Sequence, residues 1–395
     1  MPLLQPMAAS KDRDDPRIRV MIVDDAVVVR GLMSRWLGEE KDIEVVGVCR
    51  NGREAVDNVI RANPDVVILD VEMPELDGLA ALPLLLARKP ELVVIMSSTL
   101  TRRNAEVSLR ALSLGATDYI AKPETNREVT VSVSFRREIV ERIRQLGRRR
   151  MPLSRRRPRL QPQPQPQPQG PMALVPAPPL QPEFEDHHKR GEIRLRPFAP
   201  VAPRVLAIGS STGGPQALQA VLSGLLPVVS RIPVLITQHM PPMFTTILAE
   251  HMSRICGGRA HEAVHGEEIR PGSVYIAPGG KHMKILRKSA QATIELDDGP
   301  PVHFCKPAVD PFFATAAGAF GSALLGVVLT GMGVDGAAGT NVITQAGGSV
   351  IAQDEASSVV WGMPGAAAHT GQCSAVLPLN EIAPKIVKLI HGDRS

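Results

Sequence analysis

The chain has 395 residues, 44% of them hydrophobic and 22% charged, with a formal net charge of +5. That balance is typical of soluble globular protein, and the length suggests two or three domains. Four scattered cysteines (Cys49, Cys256, Cys305, Cys373) without a C-x-x-C pair argue against a disulfide scaffold or zinc site, and no apolar run reaches the roughly 20 residues of a membrane span.

Met1 to Pro16 is polar with no signal-peptide core, so a cytoplasmic location without membrane insertion is expected. From residue 17 apolar strands alternate with helical patterns. The strands are Ile18–Val23, Ile43–Val48, Val66–Leu69, Val93–Met96 and Asp118–Ala121; the helices include Val29–Leu37, Arg53–Ala62 and Asn104–Leu114. This βαβ order predicts a parallel sheet covered on both faces, with function at the carboxyl ends of its strands.

Those ends carry Asp24-Asp25, Asp70, Ser97 and Lys122-Pro123. Three converging carboxylates repel one another unless a cation sits among them, and Mg²⁺ suits oxygen ligands that leave room for water and phosphate. Lys122 and Ser97 add a positive point charge and a hydroxyl for a phosphoryl group, and Asp70 is the candidate nucleophile for an acyl phosphate.

These residues, with Asp70-Val71-Glu72-Met73-Pro74 and Asp77-Gly78, resemble a two-component response-regulator receiver domain. The resemblance implies phosphotransfer to Asp70 from a histidine kinase. It implies Mg²⁺ held by Asp24, Asp25, Asp70 and the backbone carbonyl of Glu72. It also makes Ser97, Tyr119 and Lys122 the switch residues, while Ala26 stands where many receivers carry Ser.

A helix over Arg136–Leu146 leads into Arg148-Arg149-Arg150 and Arg155-Arg156-Arg157, then an unbroken Gln/Pro alternation over Gln161–Gln169. No aromatic residue interleaves with the arginines, so a solvated, extended linker over 136–200 is favoured over a nucleic-acid surface. His187-His188, with Glu183, Glu185 and Asp186, reads as a polar patch rather than a metal site.

A second α/β pattern follows, with strands Val205–Ile208, Val234–Thr237, Ser273–Ala277, Gly326–Thr330 and Ser349–Ala352 and helices over Pro311–Leu325 and Glu381–Ile390. Gly209-Ser210-Ser211-Thr212-Gly213 puts Ser211 on a glycine-flanked turn between the first strand and the helix starting at Gln216. Either a nucleophilic serine or a glycine-rich phosphate loop fits such a turn. A serine nucleophile needs a base and a carboxylate that orients it. Among eight histidines here, His239 directly follows an apolar strand and is the first candidate; His282 is the second. Asp335, on the turn after Gly326–Thr330, is the candidate carboxylate ahead of Asp310 and Asp354; Asp310, before Pro311, reads as a helix cap.

Ile208–Gly214, Ile236–Pro242, Tyr275–Gly279 and Leu329–Gly336 resemble the catalytic domain of chemotaxis protein-glutamate methylesterases, which join a receiver to an esterase. The resemblance implies Ser211 as nucleophile, His239 as base, Asp335 as orienting acid, and backbone N–H groups near Thr212 and Met332 as the oxyanion site. It implies hydrolysis of glutamate γ-methyl esters on methyl-accepting chemoreceptors, with deamidation of particular glutamines, and a chemotaxis histidine kinase as phosphodonor. No metal or other cofactor is expected in the esterase half, and no nucleic-acid partner. The expected fold is α/β, a flavodoxin-like receiver (17–135) and a Rossmann-like methylesterase domain (201–392), both doubly wound parallel sheets. Two readings compete: a DNA-binding regulator, which the α/β pattern and the lack of a compact helix-turn-helix signature argue against, and a nucleotide-binding domain, whose G-x-G-x-x-G spacing and Walker lysine are missing.

Overall fold

The computed structural model describes residues 17–122, 133–150, 193–289 and 291–393. Pro123, the Arg155–Arg157 run, the Gln/Pro tract and the His187-His188 pair lie outside them.

The N-terminal half runs β1 (Ile18–Val23), α1 (Val27–Gly38), β2 (Ile43–Cys49), α2 (Gly52–Ala62), β3 (Val66–Asp70), α3 (Gly78–Arg88), β4 (Val93–Thr99), α4 (Arg102–Ser113), β5 (Asp118–Lys122) and α5 (Val133–Arg150). Its five strands pair in parallel in the order β2-β1-β3-β4-β5, the flavodoxin-like arrangement. Strands β1, β3 and β4 are Val/Ile-rich and almost wholly buried, as a sheet covered on both faces requires. Helix starts are set by side chains: Asn51, Asp77 and Thr101 each accept a bond from the backbone N–H three residues on.

Helix α3, which the βαβ order implies but the sequence reading does not delimit, contains Pro83. Helix α5 extends past both ends of the expected Arg136–Leu146. Phe135, Ile139, Ile143 and Leu146, at helical spacing, join the core that holds Ile18, Val20 and Ile22, so part of the segment expected as linker is packed helix.

The C-terminal half runs β6 (Val205–Ser210), α6 (Gly214–Leu225), β7 (Val234–Gln238), α7 (Phe244–Ile255), β8 (Ala260–Glu262), β9 (Val274–Ile276), β10 (His282–Lys288), β11 (Gln291–Asp297), α8 (Val309–Phe320), β12 (Leu324–Val328), α9 (Ala337–Gln345), β13 (Ser349–Gln353), α10 (Met363–His369), β14 (Ala375–Leu377) and α11 (Leu379–Ile390). Seven strands form a parallel sheet ordered β14-β13-β12-β6-β7-β9-β8. The chain winds outward from β6 through β7 and then returns to β12 on the other side. The switch point therefore lies between β6 and β12, where open α/β sheets place ligands.

Two expectations need correction. The helix expected over Pro311–Leu325 ends at Phe320, because Gly321 turns the chain with φ 55° into a short 3-10 turn over Gly321–Ala323 that leads to β12. The antiparallel hairpin β10–β11 was not foreseen; it buries Met283, Ile285 and Ile294 on one face and exposes charged residues on the other.

Candidate active site

Three loops meet at the carboxyl edge of the seven-stranded sheet. Ser211 leaves β6, His239 leaves β7, and Asp335 lies on the loop after β12. Backbone bonds tie the loops together: His239 N donates to Ser210 O at 3.0 Å, and Ser211 N donates to Thr330 O at 3.0 Å. Gly213 takes φ 76° to turn the chain into α6, and a Cβ there would meet Val359 at 2.6 Å. Gly331 is equally constrained, since a Cβ would lie 2.8 Å from Ser211 Cβ. The glycines of both loops are thus required by close approach.

His239 Nε2 and Asp335 Oδ2 are 2.7 Å apart. The carboxylate accepts, so in the neutral ring Nε2 carries the proton and Nδ1 is left with its lone pair. Asp335 is buried, and its oxygens also accept from Val309 N at 2.6 Å and Asp310 N at 2.8 Å. These are first-turn amides of α8, whose N-cap, Ala308, offers no side-chain bond; Asp335 caps that helix from a distant loop. Burial works against the Asp335 charge, but His239 and the two amides outweigh it and hold the carboxyl below its ordinary value. For His239 burial again opposes charge, but the Cys305 and Asp335 side chains outweigh it and raise the imidazole.

Ser211 Oγ has no hydrogen bond to His239 among the described residues, so the structure joins the base to the acid and brings the serine to the same edge without closing that bond. The two amides expected as oxyanion donors are both free of internal partners among the described residues. Their preceding carbonyls are held: Ser211 O accepts from Gly214 N at 2.7 Å and from Gln238 Nε2 at 2.9 Å, and Gly331 O accepts from Met363 N at 2.8 Å.

The weaker candidates are committed elsewhere. Both ring nitrogens of His282 bond backbone, to Pro300 O and from Ala308 N. Asp354 accepts from Ser357. Asp310 is a cap, as expected, but of α9, through Gly336 N and Gly339 N, and it lies inside the first turn of α8.

In the N-terminal half, Asp24, Asp25 and Asp70 bring carboxylate oxygens within 4.8 Å of one another. Lys122 Nζ reaches Asp24 at 2.6 Å and Asp70 at 2.7 Å. Asp70 is pushed up to about 6 by burial and by Asp24 and Asp25, against the pull of Lys122. Three crowded carboxylates, all oxygen donors, fit a hard divalent cation. Glu72 follows β3 on the exposed loop, its side chain 4.0 Å from Arg103. Ser97 Oγ is fully buried and has no hydrogen-bond partner among the described residues, as a hydroxyl kept for an incoming oxygen would be.

The two halves belong to one unit and meet beside the esterase loops. Tyr119 stacks on Phe244 with ring centroids 4.7 Å apart. Its neighbour Asp118, paired with Arg142, accepts from Thr212 Oγ1 at 3.1 Å. Arg137 lies over the Phe304 ring at 4.0 Å, Arg102 pairs with Glu250 at 2.6 Å, and Met332, Val359 and Val360 pack on the core that contains α5. Sequence reasoning missed Asp118, Arg142, Gln238 and Cys305. Gln238 and Asp118 carried a faint signal, each adjoining a residue already singled out.

The fold and site define a response regulator whose output domain is an α/β unit with a histidine–aspartate pair beside a glycine-flanked serine. The CheB methylesterase family matches residues 206–386, and the response regulator receiver domain matches 20–134. A protein-glutamate methylesterase/protein-glutamine glutaminase of group 2 operon from Bradyrhizobium diazoefficiens is 56% identical over 98% of this chain and 98% of its own. One from Nitrobacter hamburgensis is 55% identical over 99% and 98%. The solved Thermotoga maritima CheB methylesterase catalytic domain is 38% identical, covering 48% of this chain and 100% of that one, at a TM-score of 0.46. The chain belongs to the protein-glutamate methylesterase/protein-glutamine glutaminase family. No helix among the described residues is long and apolar enough to cross a membrane.

Proposed function

We propose that this chain hydrolyses glutamate γ-methyl esters on methyl-accepting chemoreceptors, deamidates particular receptor glutamines, and does so under control of phosphorylation at Asp70. The observation that carries the esterase reading is the 2.7 Å His239–Asp335 bond on the sheet edge where the Ser211 turn opens. Ser211 Oγ attacks the ester carbonyl while His239 Nδ1 takes its proton. Asp335 stabilises the imidazolium, and the Thr212 and Met332 amides receive the oxyanion. The tetrahedral intermediate expels methanol with the proton from His239, and water then repeats the sequence on the acyl-enzyme. Methanol release from methylated receptor membranes, with and without a small phosphodonor, tests the activity and its control together.

In the receiver half, an Asp70 oxygen bonds phosphorus as the P–N bond of the kinase phosphohistidine breaks. Asp24, Asp25, Asp70 and the Glu72 carbonyl would hold Mg²⁺, which when bound would supply charge neutralisation for the phosphoryl oxygens. Lys122 pairs with the new phosphate, and Ser97 donates its unused hydroxyl. Asp70→Asn is expected to leave basal methanol release intact and abolish its rise with phosphodonor and Mg²⁺; a preserved rise would place the control elsewhere.

The receiver restrains the esterase by sitting on its active edge. The bond from Thr212 to Asp118 and the packing of Met332 on the receiver core that holds Ile18 and Ile139 support this, because both involve residues of the oxyanion turns. Arg102→Glu puts like charges opposite Glu250 and Glu106 on an exposed surface. It is expected to raise unphosphorylated turnover about 2- to 5-fold, the scale of an exposed ion pair, without changing the phosphorylated rate. An unchanged basal rate would show that this pair carries none of the restraint.

A further inference from the structure

The geometry points to Gln238 as the positioning residue of the oxyanion site: its amide clamps the Ser211 carbonyl, and that clamp aims the Thr212 N–H. This rests on the esterase reading above and goes one step further into the same site. Gln238 is the last residue of β7, only 2% exposed, directly before His239. Its amide orientation follows from chemistry rather than from choice. Ser210 Oγ, fully buried, lies 2.6 Å from Gln238 Oε1 and donates to it. The other end of the amide faces two carbonyls, which only accept, so it must be Nε2, donating to Ser211 O at 2.9 Å and to His239 O at 3.4 Å.

The consequence follows from the planarity of the peptide bond. Ser211 C=O and Thr212 N–H belong to one trans unit and point in opposite directions. Whatever fixes the carbonyl fixes the amide. Two donors converge on that carbonyl, Gly214 N from the start of α6 and Gln238 Nε2 from the neighbouring strand. The Gly214 bond is local and moves with the turn. The Gln238 bond anchors the turn to β7, the strand that delivers His239. The clamp also explains Gly214: a Cβ there would sit 1.9 Å from Gln238 Oε1, so the glycine makes room for the amide. Backbone donors aimed in advance at developing charge lose much of their effect when tilted.

The test uses the full chain, phosphorylated with a small phosphodonor and Mg²⁺, and methylated receptor membranes over a range of concentration and pH. Gln238→Met keeps the volume and removes the clamp. It is expected to lower kcat about 10- to 100-fold, a fraction of the effect of removing an oxyanion donor outright. KM and the pH midpoint of kcat/KM stay where they were, since what His239 loses is a long 3.4 Å bond to its backbone carbonyl while its ring keeps Asp335. Ser210→Ala, which frees the amide to rotate, is expected to lower kcat by a smaller factor with the same signature, and it decides the matter should Gln238→Met not fold. A wild-type kcat in the folded variants overturns the inference. So does a shift of the pH midpoint, which would mean that Gln238 acts through His239. Failure of the underlying function looks different: the wild-type chain releases no methanol, or Ser211→Ala releases it normally.

Discussion

Ser211→Ala is expected to reduce methanol release from methylated receptors by at least about 10⁴-fold, as loss of a nucleophile does in serine hydrolases. The thermal midpoint of the variant should stay within the ordinary scatter of surface substitutions, about ±0.5 kcal/mol. Both halves of that expectation come from the same geometry. The lost oxygen makes no hydrogen bond among the described residues, so its removal leaves no partner stranded. The retained Cβ is the atom that fits against Gly331, where the two loops nearly touch. An alanine therefore preserves the packing of the turn and removes only the reacting atom. A variant that folds and turns over normally would exclude Ser211 as nucleophile. It would return the turn to the competing reading, a glycine-rich anion cradle, which nucleotide binding would then have to support.

The sheet edges were legible because strands announce themselves. Runs such as Val66–Leu69 and Val205–Ile208 are apolar throughout, and the polar residues just beyond them, Asp70 at once and Ser211 three positions on, mark the edge where chemistry gathers. The pairing of His239 with Asp335 was accessible by the same logic, as both follow apolar strands of one sheet. What stayed hidden depended on contacts between side chains far apart in the chain. Asp118 looked like the first residue of a strand, yet it accepts from Thr212, 94 residues away. Gln238 looked like a spacer before His239, yet it holds the neighbouring turn. The helix over Gly78–Arg88 was obscured by Pro83, which in an isolated segment argues for a break; tertiary packing of Ala81, Leu82 and Leu85 overrides it. Strand β12 starts two residues earlier than expected because α8 stops at Phe320, five residues before its expected end, and composition alone does not reveal the positive φ of Gly321.

Asp335→Asn is expected to cost about 10⁴-fold in kcat, and here, unlike at Ser211, stability falls too. Three donors converge on the Asp335 carboxylate: Val309 N and His239 Nε2 on Oδ2, and Asp310 N on Oδ1. An asparagine offers one oxygen and one NH₂. With the oxygen toward Val309 and His239, the NH₂ confronts the Asp310 N–H, a buried donor facing a donor. That clash leaves the first turn of α8 short of a partner and costs about 1–3 kcal/mol. With the amide reversed, His239 Nε2 can only accept, so the proton moves to Nδ1 and the nitrogen meant for Ser211 can no longer act as a base. The pH profile separates charge from tautomer. Against burial, Cys305 and Asp335 together raise the affinity of His239 for its proton, and a base works only when deprotonated, so the acid limb of wild-type kcat/KM should lie above the ordinary histidine value. Removing the carboxylate lowers that affinity, and the limb of the residual activity should move to lower pH. A full-activity variant, or an acid limb that stays in place, would show that the carboxylate does not tune the base.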